Sequence, residues 1–276
     1  MAKRLLRTYP LEAFFCLTFA FTWLAWLPLL IDVQRSGDPH SSLRWLHYVG
    51  GTGPMFAAFV LTYLLYGHGG VRRLFLRQVG RGAPYRWVLV GALLPFAFFV
   101  AAVVVSGLAT SRWVDLSQLG SSDSHPGVTF LGFALIQVLC FGFGEETGWR
   151  GFALPRLQDK LNPLIAAVAI TVPWALWHIP AFFYNENMMT MGVAGSVGWL
   201  TSLVTGSVIL SWLFNNSRGS ILPVALFHGL LDVVFVSQVV SGNLENYVGA
   251  IITVFSIVIM FVVWKSKNKV TTAQVA

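Results

Sequence analysis

Two glutamates stand side by side at Glu145 and Glu146, within the stretch FGFGEETGWR, and Arg150 follows four positions after the second. Further on, WALWHIP carries Trp174 and His178, and ALFHGLLDVVF carries His228 and Asp232. A carboxylate and an imidazole held together can bind one water and take a proton from it. A second imidazole can face the negative charge that develops when that water attacks a carbonyl. Helical spacing makes such a convergence feasible. Glu146 and Arg150 share a face and can pair, while Glu145 is rotated by about 100° and can face another neighbour. Trp174 shares a face with His178, and His228 with Asp232. Gly142, Gly144 and Gly148 remove side-chain bulk and let other helices come close.

Each feature taken alone also has a structural reading. Glu146 and Arg150 can be a helix-end ion pair. Either histidine can be an interhelical hydrogen-bonding group, and Asp232 can simply orient His228. Trp174 and Trp177 can be packing or interfacial anchors. The joint pattern is more specific: two glutamates and then two histidines on three separate apolar segments point to one shared chemical site. The two cysteines, Cys16 and Cys140, lie in apolar runs and form no metal or disulfide motif. Cys140 precedes Glu145 by five positions, but an apolar setting favours the inert thiol, so no nucleophilic mechanism is expected.

The segments that must carry these residues identify the class of protein. The chain of 276 residues is 56% hydrophobic and 11% charged, against about 25% charged residues in a soluble domain. Mean hydropathy is +0.69, so the apolar residues exceed what one water-soluble core can hold. A bilayer span needs roughly 20 apolar residues. About eight such segments are predicted, at 11–31, 48–66, 87–108, 128–149, 163–183, 193–214, 220–238 and 247–264. The basic start, MAKRLLRTYP, is followed by an apolar run too long for a signal peptide, which reads as a retained first span. The expected fold is an all-α polytopic membrane helix bundle, one integral-membrane domain over 1–276 with a catalytic core at 128–238.

Charge sets the expected orientation. Fifteen of the eighteen lysines and arginines fall in the segments on the N-terminal side: Lys3, Arg4, Arg7, Arg72, Arg73, Arg77, Arg81, Arg86, Arg150, Arg156, Lys160, Arg218, Lys265, Lys267 and Lys269. Only Arg35, Arg44 and Arg112 fall on the other side. Both termini are therefore expected in the cytosol, in a cell membrane. The net charge of +7 is spread over short loops rather than gathered in a patch, which argues against a nucleic-acid partner. An acidic residue at the bilayer centre costs about 2.5–3.5 kcal/mol on insertion scales. Three of them need compensation by pairing or by location.

At these residues the chain resembles the CPBP family of intramembrane proteases, also called the Abi or CAAX-protease-like family. That family includes CAAX prenyl endopeptidases and bacteriocin-processing relatives. Its EExxxR motif corresponds to Glu145-Glu146-Thr147-Gly148-Trp149-Arg150. Its aromatic-xxxH motif corresponds to Trp174 through His178, with Trp where Phe is usual. Its HxxxN or HxxxD motif corresponds to His228 through Asp232. The prenyl endopeptidases usually end that third motif in Asn. An ionised Asp cannot donate to an oxyanion, so this departure bears on the substrate rather than on proteolysis.

The resemblance implies an intramembrane endopeptidase acting on a peptide or membrane-associated protein substrate, with CAAX-type processing of prenylated peptides as one candidate. On this reading Glu145 is the general base and His178 its partner. Glu146 pairs with Arg150 and fixes the helix end, His228 faces the oxyanion, and Asp232 orients His228 or donates a proton itself. No cofactor is favoured. Zinc on Glu145, His178 and His228 is the alternative, since two His and a Glu form a known catalytic set, although HExxH is absent. A proton-coupled transporter and a non-catalytic scaffold or bacteriocin-immunity protein are the rival classes. The cavity holding Glu145, His178 and His228 is expected to open to the cytosolic side. One difficulty is geometric: His178 lies roughly 22 Å into its span, whereas Glu145 is expected near the cytosolic end of its own.

Overall fold

The computed structural model describes residues 2–121, 127–240, 242–264 and 269–275, and among these the chain forms helices and no strand. Among the described residues, seven helices are long and apolar enough to cross a membrane. They are α1 (Pro10–Ser36), α2 (Trp45–Gln78), α3 (Tyr85–Thr110), α4 (Phe130–Gln158), α5 (Pro163–Phe183), α6 (Gly192–Asn216) and α8 (Asn243–Val262). Between α6 and α8 lies α7, Leu222–Val236, with 15 residues. Local chemistry sets their ends. Pro10 occupies the first turn of α1, where its missing N–H is no loss, and Gly37 closes that helix at φ 69° with its N–H bonded to Val33 O. Asn162 caps α5 by accepting from the Ile165 N–H at 2.8 Å.

The expectation of eight spans is met by seven long helices and one short one. At 1.5 Å per residue α7 rises about 22 Å, less than the roughly 30 Å of a hydrocarbon core. It lies inside the bundle, and Val236 is its only exposed residue. It packs chiefly on α3, α4 and α6. Protein rather than lipid covers it, which removes the length requirement.

The turns gather at two ends of the bundle. At the basic end, Arg77 Nε donates to Gly219 O at 2.7 Å and the Ile221 N–H to Arg77 O at 3.0 Å, joining the α2–α3 and α6–α7 turns. There too, Lys269 Nζ donates to Gln158 O at 2.8 Å and the Val270 N–H to Gln158 Oε1 at 3.1 Å, docking the C-terminal segment on the end of α4. At the second end, Gln34 Nε2 donates to Phe183 O at 2.6 Å, joining α1 to α5. The Gly120 N–H donates to Ser237 Oγ at 2.8 Å and the Gln238 N–H to Ser121 O at 2.8 Å. Helix α7 therefore runs from one end to the other, as the seven long helices do. Lys265 and Lys267, used in the charge count, lie outside the described residues.

Candidate active site

Helix α4 is wound unevenly around the glutamate pair. Val138–Phe143 and Trp149–Ala153 are π-helical, and one α-helical segment, Gly144–Gly148, lies between them. Such wide turns re-aim side chains and recur at functional sites. The helix continues to Gln158, past the expected boundary at 149. Arg150 is wholly buried and Arg156 nearly so, and neither lies in a loop. The Glu146–Arg150 pair is accordingly an interior feature of α4, not the helix-end clamp expected. Glu145 is likewise 13 residues from the basic end of α4, at mid-depth rather than at the cytosolic end. His178 lies 15 residues from the basic end of α5. At about 1.5 Å per residue both sit roughly 20 Å from that end, and the geometric difficulty disappears.

Two polar chains are built on this depth. In the first, Glu146 Oε1 accepts from Arg150 Nη1 at 2.9 Å and from His228 Nδ1 at 2.7 Å. The guanidinium also lies over the Trp174 ring, 4.6 Å from its centroid. Glu146 and Arg150 are both fully buried, so each supplies the other's counter-charge. In the second chain, Trp174 Nε1 donates to Glu145 Oε2 at 2.7 Å, and His178 Nδ1 bonds Trp174 O at 2.8 Å. A carbonyl only accepts, so His178 carries its proton on Nδ1 and presents the Nε2 lone pair. Trp174 thus touches both chains, consistent with the expectation that it and Arg150 support the site. Asp232 Oδ2 stands 3.7 Å from His228 Nε2, too long for a hydrogen bond. Glu146, not Asp232, holds the His228 ring.

Glu145, His178, His228 and Asp232 line one cavity of about 300 Å³. Glu146 and Arg150 stand behind its wall. The cavity opens at the second end, where Pro39 and Arg44 of the α1–α2 turn and Asn185 to Met188 of the α5–α6 turn contribute to its lining. The expected opening on the basic, N-terminal side is therefore not observed. Sequence reasoning also missed one wall. His47 donates or accepts at Nδ1 with Tyr184 OH at 2.8 Å, and its ring stacks on Trp26 at 5.5 Å. Gln137 is a further lining residue. A histidine at the start of α2 and a lone amide in FALIQVLCF were the available signals. Among the described residues no group of three or more His, Cys, Asp or Glu is drawn together as a metal-binding set.

Helix crossings bring these elements close. A Cβ built on Gly142 would lie 2.3 Å from Ala225 O of α7, and one on Gly148 would lie 2.5 Å from Pro54 O of α2. Only glycine permits these approaches.

The family model described as type II CAAX prenyl endopeptidase Rce1-like matches residues 127–234. The chain is 28% identical over 231 residues to CAAX prenyl protease 2 of Methanococcus maripaludis, covering 82% of this chain and 83% of that protein. It is 20% identical over 187 residues to lysostaphin resistance protein A of Staphylococcus haemolyticus, covering 66% of this chain and 50% of that protein. The matched region is the one that holds both glutamates and both cavity histidines, and there this multi-pass membrane protein is similar to the CAAX prenyl endopeptidases, which supports its resemblance to the CPBP (CAAX protease and bacteriocin-processing) family of membrane proteases.

Proposed function

We propose that the chain is a glutamate-dependent intramembrane endopeptidase whose catalytic core spans 128–238. The observation that carries the reading is the cavity shared by Glu145, His178, His228 and Asp232. A water between Glu145 and His178 loses a proton to the Glu145 carboxylate as its oxygen attacks the carbonyl carbon of a peptide. The carbonyl oxygen becomes an oxyanion facing His228. With Nδ1–H bonded to Glu146, the ring has Nε2 to turn to that oxyanion, and as imidazolium it donates from there. The intermediate collapses, the C–N bond breaks, and the proton held by Glu145 passes to the leaving nitrogen. The products are a carboxylic acid and an amine, which ionise to a carboxylate and an ammonium.

Trp174 and Arg150 position this machinery. The Trp174 indole N–H fixes Glu145 Oε2, and Arg150 holds Glu146, which holds His228. The substrate is a peptide or a membrane-associated protein. CAAX-type processing of a prenylated peptide is one form of it, a reading supported by the similarity to CAAX prenyl protease 2. The protein resides in the cell membrane and uses no metal. Zinc on Glu145, His178 and His228 is the arrangement a metal-dependent mechanism would need.

The test is peptide cleavage by the purified protein in lipid vesicles. Glu145→Gln keeps the shape of the side chain and removes the base, so turnover is expected to fall about 10²–10⁴-fold with thermal unfolding unchanged. Wild-type activity is expected to survive exhaustive chelation. Cleavage by Glu145→Gln at the wild-type rate sinks the base assignment, and stoichiometric zinc required for turnover sinks the metal-free mechanism.

A further inference from the structure

We infer that the basic end of the bundle carries a second binding site, a pocket that takes the phosphodiester headgroup of an anionic lipid. Two arginines of different helices meet there, Arg77 of α2 and Arg156 of α4, and both line a cavity of about 20 Å³. Helix α2 forms one wall because it bends at Gly67, whose φ of 66° and ψ of −162° only glycine adopts readily. Tyr66 before the bend and Gly70 and Leu74 after it face the cavity, and Thr272 and Val275 of the C-terminal segment close it. It shares no lining residue with the cavity of the glutamates and histidines. There is room for one water-sized group, so an oxygen of the headgroup enters while the rest of the lipid stays outside, beside Tyr66, which is 39% exposed.

The donors of this pocket are not balanced by the chain. Arg77 gives Nε to Gly219 O at 2.7 Å and Nη1 to Gly151 O at 3.2 Å, and its Nη2 is buried without an acceptor. Arg156 is 8% exposed and gives Nη1 to Phe152 O at 2.6 Å and Nη2 to Tyr66 OH at 3.3 Å. Among the described residues no carboxylate is ion-paired with either guanidinium. Asp159, just past the end of α4, faces Arg156 but is exposed and engaged by Thr272, whose N–H donates to it at 3.2 Å and Oγ1 at 2.5 Å. Two guanidiniums against one carboxylate leave one positive charge in a poorly hydrated place, which is costly unless an anion meets it. A buried donor likewise calls for an acceptor.

A phosphodiester answers both needs. It carries a single negative charge, and its unesterified oxygens accept charge-assisted hydrogen bonds from guanidinium groups. The surroundings favour a lipid over a free anion. Tyr63, Leu64 and Phe75 are exposed on the two limbs of α2, and so are Arg72 and Arg73. Apolar surface for acyl chains thus lies next to cationic surface that draws anionic headgroups. A zwitterionic headgroup brings its own cation, which these arginines repel.

Native mass spectrometry and thermal unfolding of the delipidated protein in neutral detergent test this. Phosphatidylglycerol is expected to bind one-to-one and to raise the unfolding temperature by about 5 °C near saturation. Phosphatidylcholine and inorganic phosphate at the same concentration are expected to do neither. Arg156→Gln removes one guanidinium. Val275→Trp, at a partly exposed position of the C-terminal segment, fills the cavity and leaves both arginines in place. Each is expected to weaken phosphatidylglycerol binding by about tenfold or more, and where Arg156→Gln fails to fold, Val275→Trp alone decides. Equal stabilisation by inorganic phosphate would give the pocket to a free anion and overturn the lipid assignment. Equal binding of phosphatidylcholine, or wild-type affinity for phosphatidylglycerol in Val275→Trp, would overturn the site. Neither readout depends on peptide cleavage, so the outcome stands apart from the peptidase reading.

Discussion

His228 bonds Glu146 through Nδ1 at 2.7 Å, while Asp232 stands 3.7 Å from Nε2. The two acids therefore carry different expectations. Asp232→Asn leaves the bond that orients the ring, so turnover is expected within about tenfold of wild type. An orienting Asp in a His–Asp pair would instead cost about 10⁴-fold. Steady-state cleavage by Asp232→Asn separates the two, and a loss of several orders of magnitude would return the orienting role to Asp232. Glu146→Gln is expected to do more damage. It leaves the buried Arg150 guanidinium without its counter-charge, a loss of about 3–5 kcal/mol. It also weakens the hold on His228. Unfolding temperature and turnover should fall together in this variant, whereas Glu145→Gln should lower turnover alone. A Glu146→Gln protein as stable as wild type would show that the pair contributes little to the fold.

At the scale of elements, the site depends on how closely α4 and α7 cross. Gly142 of α4 would meet Ala225 O at 2.3 Å if it carried a Cβ, and Gly229 of α7 would meet Val138 Cα at 2.5 Å. Backbone lies on both sides of the crossing, so neither helix can yield by rotating a side chain. Gly142→Ala is expected to destabilise by about 1–3 kcal/mol through overpacking and to move the helix that carries His228. Thermal unfolding and turnover should both fall. Gly206→Ala on α6, with nothing within 4 Å of its Cβ, is the control expected to leave both unchanged. The sequence exposed these glycines and the i,i+4 pairs, because helical spacing alone determines which residues share a face. It concealed the end of α4. Arg150 reads as a loop residue in a hydropathy window, and only its contact with Glu146 explains why a charge continues the helix. The π-helical turns on either side of Gly144–Gly148 leave no periodic signature either, since each spans only five or six residues.

At the scale of the whole molecule, composition was enough for an all-helical bundle in a membrane, and motif order was enough to group the residues that share the cavity. Which end the cavity opens to was not legible. That depends on how deep Glu145 and His178 sit, and therefore on the true lengths of α4 and α5. The wall formed by Trp26, His47 and Tyr184 joins α1, the start of α2 and the segment after α5. No local pattern links residues so far apart in the chain.

The shortness of α7 has a consequence for biogenesis. A segment of 15 residues that carries His228 and Asp232 is a poor substrate for the machinery that passes spans into lipid one at a time, since Asp alone opposes entry by about 2.5–3.5 kcal/mol. Its partners α3, α4 and α6 all precede it in the chain. They offer a prepared groove in which Glu146 accepts from His228 and backbone lies within reach at Gly142 and Gly229. Insertion of α7 is then a docking event that follows synthesis of the earlier spans. The candidate active site would come into being only at that step, when α7 delivers His228 and Asp232 to the glutamates of α4.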